Sequence, residues 1–169
     1  MVTLVRDRVP SVWLSVSATT REPRPGEREG EHYFFLTPER FEEHVKAGDF
    51  LEHAEVHGNR YGTLRPKVEG KLAEGRTVIL EIDPQGARQV KEALPDTKLV
   101  FILAPSTDEL VRRIRKRGAE SDDDIRVRMA TAERELALVG TYDRVIQNED
   151  VCHAADELAG YIETLETKD

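Results

Sequence analysis

The sequence contains only one cysteine, Cys152, among its 169 residues. A lone thiol excludes an internal disulfide framework and any zinc cluster built from cysteines. The chain also has no run of eighteen apolar residues, and its start, MVTLVRDRVP, lacks the apolar core and the cleavage site of a secretion signal. We therefore expect a cytoplasmic protein without a membrane segment, in which Cys152 is a small buried residue of the last helix.

An excess of positive charge is likewise missing, because the formal net charge is -8 at pH 7. General binding to nucleic acid or to a membrane surface needs a broadly basic face and is therefore not expected. The positive residues are clustered, which predicts small anionic ligands instead. The clusters are Arg21 with Arg24 and Arg28, and the segment RRIRKR at 112–117 with Arg126 and Arg128.

Short apolar runs alternate along the chain with segments of helical periodicity. The run VWLSVS is apolar and β-prone, TVILEID and KLVFILA are typical of strands buried on both faces, and DRVIQN is a weaker fourth strand. The helical segments are QGARQVKEAL, STDELVRRIRKRG, DDIRVRMATAERELALV and VCHAADELAGYIETLE. This order predicts a single α/β domain with a parallel sheet between helices. From about residue 17 to residue 64 the chain has more turns and aromatics, which predicts a small inserted lobe.

The stretch SVSATTREPRPGE follows the first apolar run and places Arg21 and Arg24 beside Pro23 and Pro25. A guanidinium group matches two phosphate oxygens at once, and prolines reduce the entropy that a loop loses on binding. Two interpretations fit the loop taken alone. It is either a preorganised phosphate clamp or a solvated surface loop.

Several polar side chains of the lobe have the chemistry to recognise a purine base. Glu52 lies in the apolar run DFLEHAEV, where a half-buried carboxylate needs partners. Its two oxygens match the N1–H and N2–H donors of guanine, while the hydroxyls of Ser17 and Thr63 match the O6 and N7 acceptors. Tyr33 and Tyr61 add phenolic donors in the same lobe. Each of these residues, taken singly, also fits a structural role in a strand or turn.

Glu81 and Asp83 close the run TVILEID and, two residues apart, point to the same face of a strand. Carboxylates at the end of a buried strand need partners and face the crevice where such folds bind ligands. We therefore interpret the pair as functional. The histidines show no metal-ligand spacing, so no metal site formed by protein side chains alone is predicted.

Arg113 and Arg117 are four residues apart on one helical face, and Gly118 is expected to end that helix. Arg128 belongs to the next helix, after the acidic turn AESDDD. Converging arginines would cover a transferring phosphoryl group and neutralise its oxygens. The alternative for this segment is a solvated, charged helix with ion pairs.

In order along the chain, the motifs SVSATTREPRPGE, GEHYFFL, FLEHAEVHGNRYGT, ILEIDPQGARQV, RRIRKRGAES and VIQNED closely resemble the successive motifs of guanylate kinase. The resemblance covers essentially the whole chain. It implies transfer of the γ-phosphoryl group of MgATP to GMP, with Mg²⁺ accompanying ATP. It also implies a P-loop nucleoside-monophosphate-kinase-like α/β fold. A three-layer parallel-sheet core (about 1–15, 67–108 and 130–169) would carry a small α+β GMP-binding lobe (about 16–66) and a helical lid (about 109–129).

The same resemblance implies a role for each candidate residue. The residues that would hold the GMP phosphate are Arg21, Arg24, Tyr33 and Tyr61. The residues that would read guanine are Ser17, Glu52, Thr63 and Glu81, the last of which stands where some family members have aspartate. Asp83 would lie near the metal and the phosphates, and Asn148 would approach the adenine of ATP. The lid residues that would touch ATP and the transferring group are Arg113, Arg117 and Arg128.

One family motif has no counterpart in this sequence. The family begins with a strand and the loop G-x-x-x-x-G-K-[ST], whose backbone amides and lysine hold the ATP phosphates. The pair Gly70–Lys71 has Arg65 in place of the first glycine and Leu72 in place of the hydroxyl residue. We expect that a preceding segment supplies this strand and loop; the alternative is a natural protein without them. In either case, the present chain alone is expected to bind GMP and to catalyse poorly.

A second function remains as the alternative. Guanylate-kinase-like modules resemble the enzyme but bind phosphorylated peptides without catalysis, and the missing loop favours such a module that binds GMP or phosphopeptides. The base-reading candidates Ser17, Glu52 and Glu81 favour the enzyme, because a phosphopeptide reader needs no base pocket.

Overall fold

The computed structural model describes residues 1–56, 58–117 and 122–167, without the side chains of residues 116, 117 and 122–124. Strands and helices alternate through most of this length. In chain order they are α1 (Val2–Arg8), β1 (Val12–Leu14), β2 (Ala18–Thr19), β3 (Phe34–Phe35), α2 (Pro38–Ala47), β4 (Phe50–Val56), β5 (Asn59–Leu64), α3 (Arg65–Ala73), β6 (Thr77–Ile79), α4 (Pro84–Ala93), β7 (Val100–Leu103), α5 (Thr107–Arg117), α6 (Asp122–Leu136), a 3-10 turn (Val139–Thr141), β8 (Arg144–Gln147) and α7 (Val151–Glu166).

The strands and helices predicted from periodicity are confirmed, since each predicted segment contains the expected element. The chain divides into two compact units. One consists of Pro10–Thr97, and the other of Met1–Val9 together with Lys98–Asp169.

The unit Pro10–Thr97 contains a four-stranded sheet with the order β3-β2-β5-β4. Strands β4 and β5 form an antiparallel hairpin in which Gly58 adopts a φ of 75°, a left-handed conformation that glycine tolerates without strain. The ladder has an irregularity between Phe50 and Glu52, after which Glu52 lies opposite Thr63. Helix α2 covers this sheet through Phe41, whose ring stacks on Phe50 at a centroid distance of 4.5 Å.

The same unit contains the parallel pair β1–β6 and two helices that flank it in sequence. Its apolar cluster combines Leu51 of β4, Val68 of α3 and Val90 of α4. Helix α4 begins where Asp83 accepts a hydrogen bond from the Gly86 amide at 2.8 Å and Pro84 occupies the first turn. These contacts fix the amino end of α4 directly after the β6 segment.

The second unit is built on the parallel pair β7–β8 and on helix α7. Asp150 caps α7 by accepting hydrogen bonds from the amides of Cys152 and His153. The buried face of α7 then begins at Ala154 and continues through Leu158 and Ile162, with α1 packed nearby. Among the helices of the described ranges, none combines the length and the apolarity that crossing a bilayer requires.

Three expectations about burial and strand ends were wrong. The strands β6 and β7 are half-buried rather than buried on both faces, because each pairs with one neighbouring strand within the described chain. Strand β6 ends at Ile79, so Glu81 and Asp83 follow the strand instead of closing it. Cys152 is exposed, because it lies in the first turn of α7 before the buried face starts.

Candidate active site

The arginine and proline loop after β2 is organised around a glutamate. Arg21 Nη2 donates to both carboxylate oxygens of Glu27, each at 2.9 Å, and the Arg24 amide donates to Glu27 Oε2 at 2.8 Å. The Arg21 amide in turn donates to Thr19 Oγ1 at 3.1 Å, which joins the loop to β2. The bonds from Arg21 and from the Arg24 amide lower the pKa of Glu27. Residues 21–27 therefore form a closed loop around one carboxylate.

Two tyrosines line the same region. The Tyr33 and Tyr61 rings meet edge to face at a centroid distance of 6.0 Å, and the Arg21 guanidinium lies 5.4 Å from the centre of the Tyr33 ring. The hydrogen bond with Glu27 and a further one with Tyr61 raise the pKa of Arg21. Burial raises the pKa of Tyr33. Arg21, Tyr33 and Tyr61 are thus brought together, while the side chain of Arg24, on the same loop, is exposed.

The carboxylate of Glu52 is buried in the unit Pro10–Thr97. Only 4% of Glu52 is exposed, and Oε1 accepts a 2.6 Å hydrogen bond from Oγ1 of the fully buried Thr63. Burial raises the pKa of Glu52, and the charge of Asp83 adds to this, while the Thr63 hydroxyl acts in the opposite direction. A methyl group placed on Gly86 would lie 2.5 Å from Glu52 Oε2, so the carboxylate rests against the backbone of α4.

The remaining candidates of this unit, two for guanine and Asp83 for the metal and the phosphates, lie near the ends of its strands. Ser17 is half-buried between β1 and β2, and its carbonyl accepts a 2.9 Å hydrogen bond from the Phe34 amide. Asp83 is half-buried and uses its carboxylate to cap α4, with Oδ2 also accepting from Gln85 Nε2 at 2.9 Å. Glu81 is exposed. Asp83 and Glu52 therefore interact electrostatically, whereas Glu81 stands in solvent on the connection between β6 and α4.

The second unit holds the other candidates. Arg113 on α5 donates from Nε to Glu109 at 2.7 Å and from Nη2 to the carbonyl of Asn148 at 2.9 Å. Glu109 also accepts from Arg112, and these two arginines, Arg112 first, lower the pKa of Glu109 to about 2. Around them is a cavity of about 360 Å³, which extends along the chain to Val151. Arg113 and Asn148 are therefore brought together by the structure.

The other two lid candidates are Arg117 and Arg128. Arg117 is the last residue of α5, and its side chain lies outside the described residues, as does Gly118, which was expected to end the helix. Arg128 lies on α6 and is half-buried.

Two site residues were missed by sequence reasoning, Glu27 and Glu109. The sequence contains a signal for each of these two residues. Glu27 ends the quoted stretch SVSATTREPRPGE, where a carboxylate close to two arginines is an expected ion-pair partner. Glu109 precedes Arg113 by four residues, the spacing at which acidic and basic side chains meet on a helix.

The fold and these two groups of side chains define an α/β protein of the nucleoside monophosphate kinase class. The family model described as guanylate kinase matches residues 3–165. The guanylate kinase of Streptomyces coelicolor is 50% identical over 158 residues, which cover 94% of this chain and 80% of that protein. The guanylate kinase of Fusobacterium nucleatum is 46% identical over 160 residues, covering 95% of this chain and 86% of that protein.

Solved structures agree with the sequence comparison. The crystal structure of guanylate kinase from Anaplasma phagocytophilum matches with a TM-score of 0.82 at 34% identity, covering 97% of this chain and 80% of that one. The chain belongs to the guanylate kinase family. The predictions of the α/β fold class and of guanylate kinase function are therefore confirmed, and none of these findings favours the non-catalytic alternative.

Proposed function

We propose that this chain binds GMP through the Arg21 loop and the Glu52 pocket and directs the γ-phosphoryl group of ATP to it. The observation that carries the proposal is the buried Glu52 carboxylate, which is held by Thr63 and kept away from solvent. A buried carboxylate with one neutral partner retains the capacity to accept two more donors. The N1–H and N2–H groups of guanine supply such a pair.

The phosphate of GMP is proposed to bind Arg21, Arg24, Tyr33 and Tyr61. Support comes from the closed loop, which holds the Arg21 guanidinium against the Tyr33 ring before any ligand arrives. A guanidinium fixed in this way loses little entropy when it binds a phosphate. The exposed Arg24 side chain is free to turn toward the same anion without leaving the loop.

The base is proposed to contact Ser17, Glu52, Thr63 and Glu81. Glu52 would select guanine over adenine for two reasons. At N1, guanine has a donor where adenine has an acceptor, and adenine has no 2-amino group. The raised pKa of Glu52 agrees with a poorly solvated carboxylate that has few hydrogen-bond donors around it. Glu81 would reach the base from the connection that follows β6.

The binding site for ATP, the phosphoryl donor, is proposed to use Arg113, Arg117 and Arg128, with Asn148 beside the adenine. Support comes from the cavity lined by Arg113 and Asn148, in which Arg113 is held by its bond to the Asn148 carbonyl. The same lining includes Arg112 and the acidic residues Glu109, Glu149 and Asp150. Arginines aimed at a transferring phosphoryl group stabilise the charge that spreads over its oxygens. We propose residues 109–129 as the lid, 16–66 as the GMP lobe and the rest as the core.

The carboxylate of Asp83 also suits an Mg²⁺ ion that arrives with ATP. Within the described ranges there is no group of three or more His, Cys, Asp and Glu side chains that could hold a metal by itself. Mg²⁺ binds through substrate phosphates, water and few carboxylates, and the oxygens of Asp83 retain lone pairs after capping α4. Bound Mg²⁺ would neutralise phosphate charge, and Asp83 would accept hydrogen bonds from its water ligands.

The exposed thiol of Cys152 supports a reducing, cytoplasmic setting for the protein.

The test measures binding and turnover by the same protein. Calorimetric titration with GMP, IMP and AMP should show a clear preference for GMP, and ADP formation from MgATP should increase when GMP is added. Equal affinity for GMP and AMP would overturn the proposal, whatever the rate of turnover.

Two variants separate the two halves of the GMP site. Arg24→Ala should weaken GMP binding and leave guanosine binding unchanged, because it removes a phosphate contact. Glu52→Ala should weaken both, because it removes the base contact. Arg28→Ala is the matched control, since Arg28 is an exposed arginine of the same segment that pairs with Glu31. Unchanged GMP affinity in both site variants would refute the assignment of this lobe.

A further inference from the structure

The side chain of Gln89 covers the outer edge of β4 at His53, the residue after Glu52. His53 follows Glu52 in β4 and lies opposite Gly62 in the β5 ladder. Its amide donates to Gln89 Oε1 at 3.2 Å, and its carbonyl accepts from Gln89 Nε2 at 2.8 Å. One primary amide thus satisfies both backbone groups of His53, as a neighbouring strand would.

This closure lies next to an irregularity in the ladder. The register of β4 against β5 is interrupted between Phe50 and Glu52, so the strand enters the Glu52 position through an irregular step. Strand β4 lies at the edge of the sheet, where the outward backbone groups have no strand partner within the described residues to fix their position. Gln89 supplies two such contacts to the residue directly after Glu52.

Helix α4 also touches Glu52 itself. Gly86 lies three residues before Gln89 on α4, and its missing side chain makes room for Glu52 Oε2. The side chain of Gln89 also bonds to its own helix, at 3.4 Å from Nε2 to the carbonyl of Gln85. The amino end of the same helix is fixed by Asp83. Glu52 is therefore bracketed by α4, with Gly86 against its carboxylate and Gln89 on the backbone that follows.

We propose that Gln89 is a positioning residue for base recognition, which holds β4 against α4 so that both oxygens of Glu52 meet the donors of guanine. The inference rests on the proposed function of Glu52. Two parallel hydrogen bonds need the carboxylate in one place, whereas a single bond tolerates a shift. Loss of Gln89 therefore affects the 2-amino contact most, and the preference for GMP over IMP, which lacks that group, depends on Gln89.

The test compares nucleotide affinities of the full chain carrying Gln89→Leu, which keeps the side-chain size. It removes both hydrogen bonds to His53 together with the one to the Gln85 carbonyl. We expect GMP affinity to fall about ten-fold, equivalent to about 1.4 kcal/mol, and IMP affinity to fall much less. Arg88→Leu is the matched control, because Arg88 is the preceding residue of α4 and its side chain is 78% exposed. Gln89→Met provides a second, unbranched replacement if Gln89→Leu does not fold.

A double-mutant cycle distinguishes positioning from a general loss of structure. In a Glu52→Gln background the effect of Gln89→Leu on GMP affinity should nearly disappear, because Gln89 acts through Glu52. An equal loss in both backgrounds would overturn the proposal, as would equal losses for GMP, IMP and AMP or no loss in either Gln89 variant. The wild-type preference for GMP over AMP reports separately on the proposed function, so the two failures are distinguishable.

Discussion

Thr63 and Glu52 face each other across two antiparallel strands, and the Thr63 hydroxyl donates a 2.6 Å hydrogen bond to Glu52 Oε1. Neither side chain has appreciable contact with solvent. A charged acceptor in such a place depends on the few donors that the protein offers. This pair therefore links the stability of the lobe to its proposed ability to read a base.

Removal of the Thr63 hydroxyl tests this link. Thr63→Val keeps the shape and should lower the free energy of unfolding by about 1–3 kcal/mol, because the buried carboxylate loses its partner. GMP affinity should fall as well, since Glu52 is no longer held in place. Urea denaturation and calorimetric titration measure the two effects. Thr63→Ser restores the hydroxyl and should recover both properties; failure of this variant to recover GMP affinity would contradict the assignment.

The raised pKa of Glu52 predicts opposite pH trends for stability and for binding. Because the folded-state pKa lies above the unfolded one, the protonated form is favoured by folding. This contribution is complete below the unfolded pKa and is lost as the pH rises through the folded pKa. Relative to Glu52→Gln, the wild type should therefore lose stability as the pH increases above the ordinary glutamate range. GMP affinity should increase over the same interval, because guanine needs the ionised form.

These trends are measured by urea denaturation and GMP titration of both proteins across pH 5 to 8. Parallel curves for the wild type and Glu52→Gln would show that other groups cause the pH dependence.

Glu27 is expected to support phosphate binding by closing the arginine loop. Glu27→Gln keeps the shape and removes the charge that accepts from Arg21 and from the Arg24 amide. The loosened loop must then be ordered on binding, so GMP and AMP should both bind about three- to ten-fold more weakly. Glu31→Gln is the control, an exposed glutamate of the same segment. Tighter binding by Glu27→Gln would mean that Glu27 competes with phosphate for Arg21.

Gly86 and Gly70 form a matched pair of helical glycines. A methyl group at Gly70 on α3 meets no atom within 4 Å, so Gly70→Ala should stabilise the protein by about 0.5–1 kcal/mol. The same change at Gly86 places the methyl group 2.5 Å from Glu52 Oε2. Gly86→Ala should therefore displace the carboxylate and weaken GMP binding. Equal GMP affinity in the two variants would show that Glu52 does not depend on this approach.

Arg113 is expected to need its planar guanidinium. Arg113→Lys keeps the charge, but an ammonium does not reproduce the geometry that spans Glu109 and the Asn148 carbonyl. GMP-dependent ADP formation should decrease by at least ten-fold. GMP affinity should stay constant, because the proposed GMP site lies in the other unit. Arg115→Lys, an exposed position of the same helix, is the control. Unchanged ADP formation in Arg113→Lys would remove Arg113 from the proposed donor site.

The elements of the fold were predictable because their signals are local. Helix α7 shows the apolar spacing of a helix packed on one side, and its cap Asp150 lies directly before it. The end of β6 was not predictable in the same way. Asp83 carries a strand-like alternation with Glu81, but its carboxylate captures the Gly86 amide and starts α4 instead.

The candidate site was predictable as a set of residue types and less so as a set of contacts. Glu52 and Thr63 were both singled out, yet their bond depends on the β4–β5 register, which an irregular step shifts. The contact of Gln89 with His53 depends on the packing of a helix 36 residues away in sequence, and no local pattern reports that approach. Such contacts are decided by tertiary packing, which sequence periodicity does not record.

The bond from Arg113 to the Asn148 carbonyl fastens the middle of α5 to the chain that follows β8. A guanidinium has a limited number of donors, and those used here are not available to an incoming anion. If Arg113 turns toward a phosphate, α5 loses this attachment in the same movement. The position of α5 and the direction of the Arg113 side chain are therefore coupled through one hydrogen bond.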